Sequence, residues 1–297
     1  MIARMDSVAP TSKLTLIARD IKVSHSVFAL PFALLATFLA APGFPGWDRL
    51  ALIVVCMVFA RTFAMLANRY VDREIDKANP RTAGRALPAG RLRPRDVLAA
   101  MAACAAGLVG GAAMFGVLHG NWWPLILSPL VLAWLATYGL MKRFTFLCHF
   151  FLGTALAISP PAAALAIRPE YLATPTLWWL AGFVMLWVGG FDVIYALQDE
   201  VIDRRDGLCS IPARLGRVNA LLIAKTVHLA ALAALILAQR SSDQLGTLFR
   251  IGIGIVALLL IVEHHAASRD RFNMAFFTLN GVISLILGGL GIADVLK

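Results

Sequence analysis

Apolar runs long enough to cross about 30 Å of hydrocarbon recur from one end of the chain to the other, separated by short polar stretches rich in Gly, Pro and Arg. Nine such runs can be drawn, at residues 22–41, 50–70, 97–117, 122–140, 146–167, 176–198, 218–238, 246–264 and 274–293. Backbone in lipid must satisfy its own hydrogen bonds, so runs of this length predict helices, and the chain reads as an all-α integral membrane protein of nine spans. The polar stretches are too short to hold a soluble domain, so residues 1–297 form one domain. The first run resembles a signal peptide in length only: Pro42 directly after Leu39-Ala40-Ala41 is a poor cleavage context, and the run is read as retained.

Composition agrees with that pattern. The chain is 60% hydrophobic, with a mean hydropathy of +0.77. Most of the 27 lysines and arginines fall in the N-terminal tail and in the loops after spans 2, 4, 6 and 8; Lys22, Arg69 and Arg250 lie within four residues of a span end, and only Arg61 and Lys225 lie deeper inside spans. This bias predicts an inner-membrane protein with a cytosolic N-terminus and cytosolic loops at those positions. It also accounts for the net charge of +10, so no nucleic-acid partner is needed to explain it. Cys56, Cys104, Cys148 and Cys209 are dispersed, forming neither a disulfide framework nor a metal-ligand spacing.

Against this background two acidic clusters stand out. Asn68, Asp72 and Asp76 in NRYVDREID, and Asp192, Asp199 and Asp203 in DVIYALQDEVID, close spans 2 and 6 on the predicted cytosolic side. Steps of four residues keep side chains on one helical face, so each cluster draws an acidic strip. Two readings are open for the first strip: oxygen ligands for a hard cation such as Mg2+, or a solvated helix end balanced by Arg69, Arg73 and Lys77. The second strip favours the metal, because two such strips facing each other would hold one or two divalent ions, and those ions a diphosphate. Asp192 follows WVGGF within apolar sequence, where it serves either the site or a structural salt bridge. Arg81, Arg85, Lys142, Arg143, Arg214 and Arg217 lie close enough in sequence to add positive charge, although for each taken singly a membrane-surface anchor is the simpler explanation.

Arg61 lies seven residues before Asn68, about 10 Å deeper along the helix and beyond easy snorkelling reach. It either pairs with a buried acid such as Asp192 or reads an anionic group on a substrate. His119, His149 and His228 are isolated in sequence, and the adjacent His264 and His265 cannot aim at one ligand from a helix; interfacial or packing roles are expected for all of them. Trp122, Trp123, Trp178 and Trp179 predict an aromatic belt on the far side.

Four segments in order, NRYVDREID, RTAGRALPAG, YGLMKRFT and DVIYALQDEVIDRRDG, resemble the UbiA-type membrane prenyltransferases, and most closely the 4-hydroxybenzoate polyprenyltransferase group. The resemblance implies a bundle of nine helices around a central cavity under a cap of cytosolic loops. It further implies Mg2+-dependent transfer of a prenyl chain from a polyprenyl diphosphate to a small aromatic acceptor, in contact with membrane lipid. By matching position, Asn68, Asp72, Asp76, Asp199 and Asp203 would hold the magnesium-diphosphate, Arg81, Arg85, Lys142 and Arg143 the diphosphate, and Asp192 and Tyr195 the reacting ends of the substrates.

Two segments depart from the family pattern. Arg69 stands where many relatives have Asp, and IKVSHSVFALPFALL replaces a DKPxG-like stretch at the first helix. The expected acceptor is 4-hydroxybenzoate, in respiratory quinone synthesis. Its rivals are the acceptor of the futalosine route to menaquinone, other prenyl acceptors such as haem or a glycerol phosphate, and, from another class, a cation-coupled transporter.

Overall fold

The computed structural model describes residues 12–21, 28–272 and 278–297; the predicted starts of the first and ninth spans lie outside them. The described residues form twelve α-helices: α1 Lys13–Ile21, α2 Leu30–Ala40, α3 Trp47–Ala78, α4 Pro94–His119, α5 Trp123–Thr137, α6 Cys148–Ala157, α7 Ser159–Ile167, α8 Pro175–Ala196, α9 Glu200–Arg205, α10 Ile211–Arg240, α11 Thr247–Ser268 and α12 Asn280–Val295. Seven helical segments among them are long and apolar enough to cross a membrane, and α2 and α12 are shorter apolar helices at the predicted first and ninth spans. The predicted fifth span is two helices, α6 and α7, because Ser159-Pro160-Pro161 opens a fresh helix.

Helix limits follow local chemistry. Asn79 ends α3 in an extended conformation, as its position before Pro80 demands. Pro94 opens α4, whose Asp96 carboxylate accepts the Arg93 backbone N–H at 3.2 Å, and Gly120 closes it in the left-handed region at φ 69°. The Ser210 hydroxyl caps α10. These punctuation marks place the ends of α3 and α8 on one face of the bundle. Trp122, Trp123, Trp178 and Trp179 are exposed at the other, where the belt was expected.

The core centres on α8, which packs against α6 and α10. Phe183, Trp187 and Phe191 recur every fourth residue along one face, and Phe32 of α2 meets both Phe183 and Trp187 at 5.6 Å between ring centroids. Trp187 also donates through Nε1 to Asn280 of α12 at 2.7 Å, and Asn280 donates to the wholly buried Glu263 of α11 at 3.0 Å. Interhelical hydrogen bonds of this kind hold helices together where lipid offers no hydrophobic drive. Three of the histidines find partners across the fold: His228 Nδ1 lies 3.0 Å from His264 Nε2, and His149 is taken up by Asp192.

Close approach of α6 to α8 depends on Gly153, since a β-carbon there would fall against the Met185 carbonyl oxygen. Backbone cannot yield as a side chain can. Gly153→Ala is therefore expected to lower stability by about 1–3 kcal/mol, read as a drop in melting temperature in detergent. An unchanged melting temperature would show that the two helices separate without cost.

Candidate active site

The last turns of α3 set Asn68, Asp72 and Asp76 on one face, as their spacing predicts, with Asp72 3% and Asp76 6% exposed. Each acid has a cation. Lys142, from the 3-10 turn Tyr138–Arg143, places Nζ 2.6 Å from Asp72 Oδ2, and Arg85, in the loop after α3, places Nη1 2.6 Å from Asp76 Oδ2. The other Asp72 oxygen, Oδ1, is sealed from solvent with no hydrogen-bond partner among the described residues. Gly139 leaves room for the Asn68 amide, which would collide with a β-carbon at that position.

The second cluster is not one continuous strip. After α8 ends at Ala196, Leu197–Asp199 form a tighter 3-10 turn before α9 begins, which shifts Asp199 and Asp203 out of the register expected from Asp192. Asp199 accepts from Asn79 Nδ2 at 2.9 Å and from Arg81 through Nε at 3.0 Å and Nη2, while Arg81 Nη1 reaches the Tyr195 hydroxyl at 3.3 Å. Burial opposes the Arg81 charge, but the bonds to Asp199 outweigh it and raise the pKa of the guanidinium above its ordinary value. Asn79 and Arg81 follow α3 directly, so this loop ties the first cluster to the second. Lys142 completes the link, being bonded to Asp72 and within electrostatic reach of Asp203.

Beside these ion pairs a pocket of about 470 Å3 is walled by Arg19, Arg69, Arg81, Arg85 and Arg91 together with Tyr195. Arg69, which stands where many relatives have Asp, thus adds to a concentration of guanidinium groups suited to phosphate oxygens. Three other cations expected near the site have partners other than its acids, and Arg143 holds the carbonyl of the residue next to Asp72. Arg143 donates to the Val71 carbonyl at 2.7 Å, Arg217 pairs with Asp270 at 2.7 Å, and Arg214 contacts the Cys209 sulfur at 3.1 Å.

Deeper in the bundle lies an apolar cavity, also of about 470 Å3, whose walls include Met57, Arg61, Trp134, Leu135, Tyr138 and Leu156. Arg61 Nε and Trp134 Nε1 are both sealed from solvent and have no hydrogen-bond partner among the described residues. Arg61 does not pair with Asp192, one of the two alternatives drawn from the sequence. Asp192 Oδ2 instead lies 2.7 Å from His149 Nδ1, because α6 packs on α8 and its first turn delivers the imidazole there. Tyr138 lines the cavity and lies within electrostatic reach of Arg61, Arg69, Asp72 and Asp192, so it marks the seam between the cavity and the charged end. Asn79, Trp134, Tyr138 and His149 escaped sequence reasoning. Only Tyr138 carried a signal, its place in YGLMKRFT.

Among the described residues no three His, Cys, Asp or Glu side chains converge as a preformed metal cage. The donor set nevertheless fits Mg2+, which takes one or two carboxylates and completes its shell with water and phosphate oxygens. The orphaned Asp72 Oδ1 is such a carboxylate oxygen, buried and without a partner.

Residues 29–285 match the model of the UbiA prenyltransferase family. The 4-hydroxybenzoate octaprenyltransferase of Ectopseudomonas mendocina (strain ymp) is 32% identical over 242 residues, covering 82% of this chain and 78% of that protein. Among solved structures, the apo UbiA homolog from Aeropyrum pernix K1 superimposes with a TM-score of 0.82 at 34% identity, over 92% of this chain and 98% of that one. A UbiA homolog from Archaeoglobus fulgidus bound to GPP and Mg2+ shares the fold, with a TM-score of 0.66 at 18% identity over 94% and 99% of the two chains.

Proposed function

The chain belongs to the UbiA prenyltransferase family, and from that membership we propose that it transfers a polyprenyl chain from an allylic diphosphate to a carboxylated aromatic acceptor, 4-hydroxybenzoate first among them. Two unpaired donors in an apolar cavity carry the choice of acceptor. A guanidinium in such a place is costly unless it meets an acceptor, and among the described residues Arg61 has no ion pair and Arg61 Nε and Trp134 Nε1 both lack an acceptor. A benzoate ring with its carboxylate supplies apolar surface and acceptor oxygens together. The A. fulgidus homolog's GPP and the octaprenyl donor named for the bacterial relatives support the other substrate class.

Each part of the site has a task in that reading. The arginine pocket and Lys142 take the diphosphate, giving up Asp76, Asp199 and Asp72 as partners for phosphate oxygens. Asn68, Asp72, Asp76, Asp199 and Asp203 would hold Mg2+, which when bound neutralises charge developing on the leaving group. As the allylic C–O bond breaks, its electron pair leaves with the diphosphate, and a ring carbon of the acceptor forms the new bond to C1. The ring proton then passes to Asp192, a carboxylate within electrostatic reach of Tyr138 on the cavity wall and paired with no lysine or arginine among the described residues. Tyr195, held by Arg81 on the pocket wall, stands at the diphosphate end of the donor. The apolar walls keep water from the cation. A cavity of about 470 Å3 suits a drug-sized ligand, so a long prenyl tail continues into lipid.

The charged end faces the cytosol in this reading, where soluble diphosphate and small acids are available, in keeping with the distribution of lysine and arginine. Transport is not favoured, because the acids gather at one end of the bundle beside basic loops and do not line a path at mid-depth.

The test is transfer from labelled polyprenyl diphosphate in purified membranes, with and without a chelator, offered 4-hydroxybenzoate beside an aminofutalosine-type acceptor, haem and a glycerol phosphate. Labelled 4-hydroxybenzoate product that disappears with the chelator is expected. Labelling of another acceptor alone would keep the family and replace the substrate.

A further inference from the structure

The pair formed by His149 and Asp192 has a direction. The Ile211 backbone N–H points at His149 Nε2 from 3.2 Å, and a backbone N–H can only donate. Nε2 must therefore carry the lone pair, and the ring proton sits on Nδ1, 2.7 Å from Asp192 Oδ2. The histidine is a neutral donor, fixed at both nitrogens. Its side chain is 3% exposed while that of Asp192 is 24% exposed, so the carboxylate is the open member and the imidazole its buried support. Among the described residues Asp192 Oδ1 has no hydrogen bond, and Tyr138 on the cavity wall lies within reach of the Asp192 charge.

We propose that His149 is a positioning residue for the acceptor end of the site, locking the Asp192 carboxylate so that Oδ1 is the oxygen presented to the ring proton. The proposal rests on the reading of Asp192 as the base for an aromatic acceptor. A carboxylate on α8 turns freely about its side-chain bonds, and one donor held on both sides removes that freedom, as a third group orients the base in a catalytic triad. The same imidazole satisfies the first N–H of α10, tying Asp192 to the segment that follows Asp203.

The competing role is that of a helix cap alone, and two substitutions separate the roles. His149→Asn keeps an N–H at the bond distance of Nδ1 and loses the reach to Ile211. His149→Gln reaches Ile211 with its carbonyl oxygen and leaves Asp192 without a donor. If His149 positions Asp192, the Gln variant loses about 10–100-fold in kcat with an unchanged KM for the prenyl donor, while the Asn variant stays within a few-fold of wild type and shows the lower melting temperature. In an Asp192→Asn background, His149→Gln should cost nothing further. A fully active Gln variant, or an Asn variant as impaired as Gln, would leave His149 a cap and no more. Wild-type protein that prenylates no aromatic acceptor would instead remove the functional reading beneath the proposal.

Discussion

Transfer by the Asp72→Asn protein falls by at least about 10²–10³-fold while its melting temperature stays near that of wild type. Asp72 is nearly buried, but its surroundings are not those of a packing residue. One oxygen is held by Lys142 at 2.6 Å and the other has no hydrogen-bond partner among the described residues. The amide replaces the carboxylate without changing its size and removes the charge a cation would meet. Some stability is lost with the Lys142 pair, yet Lys142 is 27% exposed and water can take over its solvation. Measuring the transfer rate and thermal unfolding on one preparation checks both halves. A fully active variant would remove Asp72 from the metal site, and an unfolded one would make it structural.

The second large effect joins a loss to a gain. Arg61→Ala should raise the KM for a carboxylated acceptor by about 10–100-fold, the range of a hydrogen bond to a charged group, with little change for the prenyl donor. The same substitution should raise the melting temperature, because it takes out of an apolar cavity a guanidinium whose Nε has no acceptor among the described residues. A structural ion pair would behave oppositely on both counts. Equal effects on the two substrates, with lower stability, would therefore refute acceptor recognition by Arg61.

What could be read from the sequence was what is local. The strip Asn68, Asp72, Asp76 rests on helical spacing alone, and it stands in the structure as drawn. The basic loop with Arg81 and Arg85 lies beside the acids because it follows α3 directly. The second strip failed as a single helix, since the 3-10 turn at Leu197–Asp199 interrupts a sequence whose apolar pattern continues unbroken. Pairings across the fold were out of reach. His149 and Asp192 are 43 residues apart, and nothing in CHFFLG distinguishes a ligand from a packing histidine. Arg61 showed its importance by depth, but whether it had a partner depended on which helix packed on α8. Arg69 was visible in the sequence as a departure from the family pattern, and its place on the wall of the arginine pocket came only from the fold.

Glu263 bears on how the protein is made. When α11 enters the bilayer its buried carboxyl has no hydrogen-bonding companion until Asn280, 17 residues downstream, arrives with α12. The indole N–H of Trp187 on α8 awaits that same asparagine. A polar group left facing hydrocarbon is costly, so α11 and α12 should enter as a helical hairpin and close on α8 together. A nascent chain stopped short of Asn280 would expose an acid in lipid, the kind of feature by which membrane quality control recognises an unfinished protein.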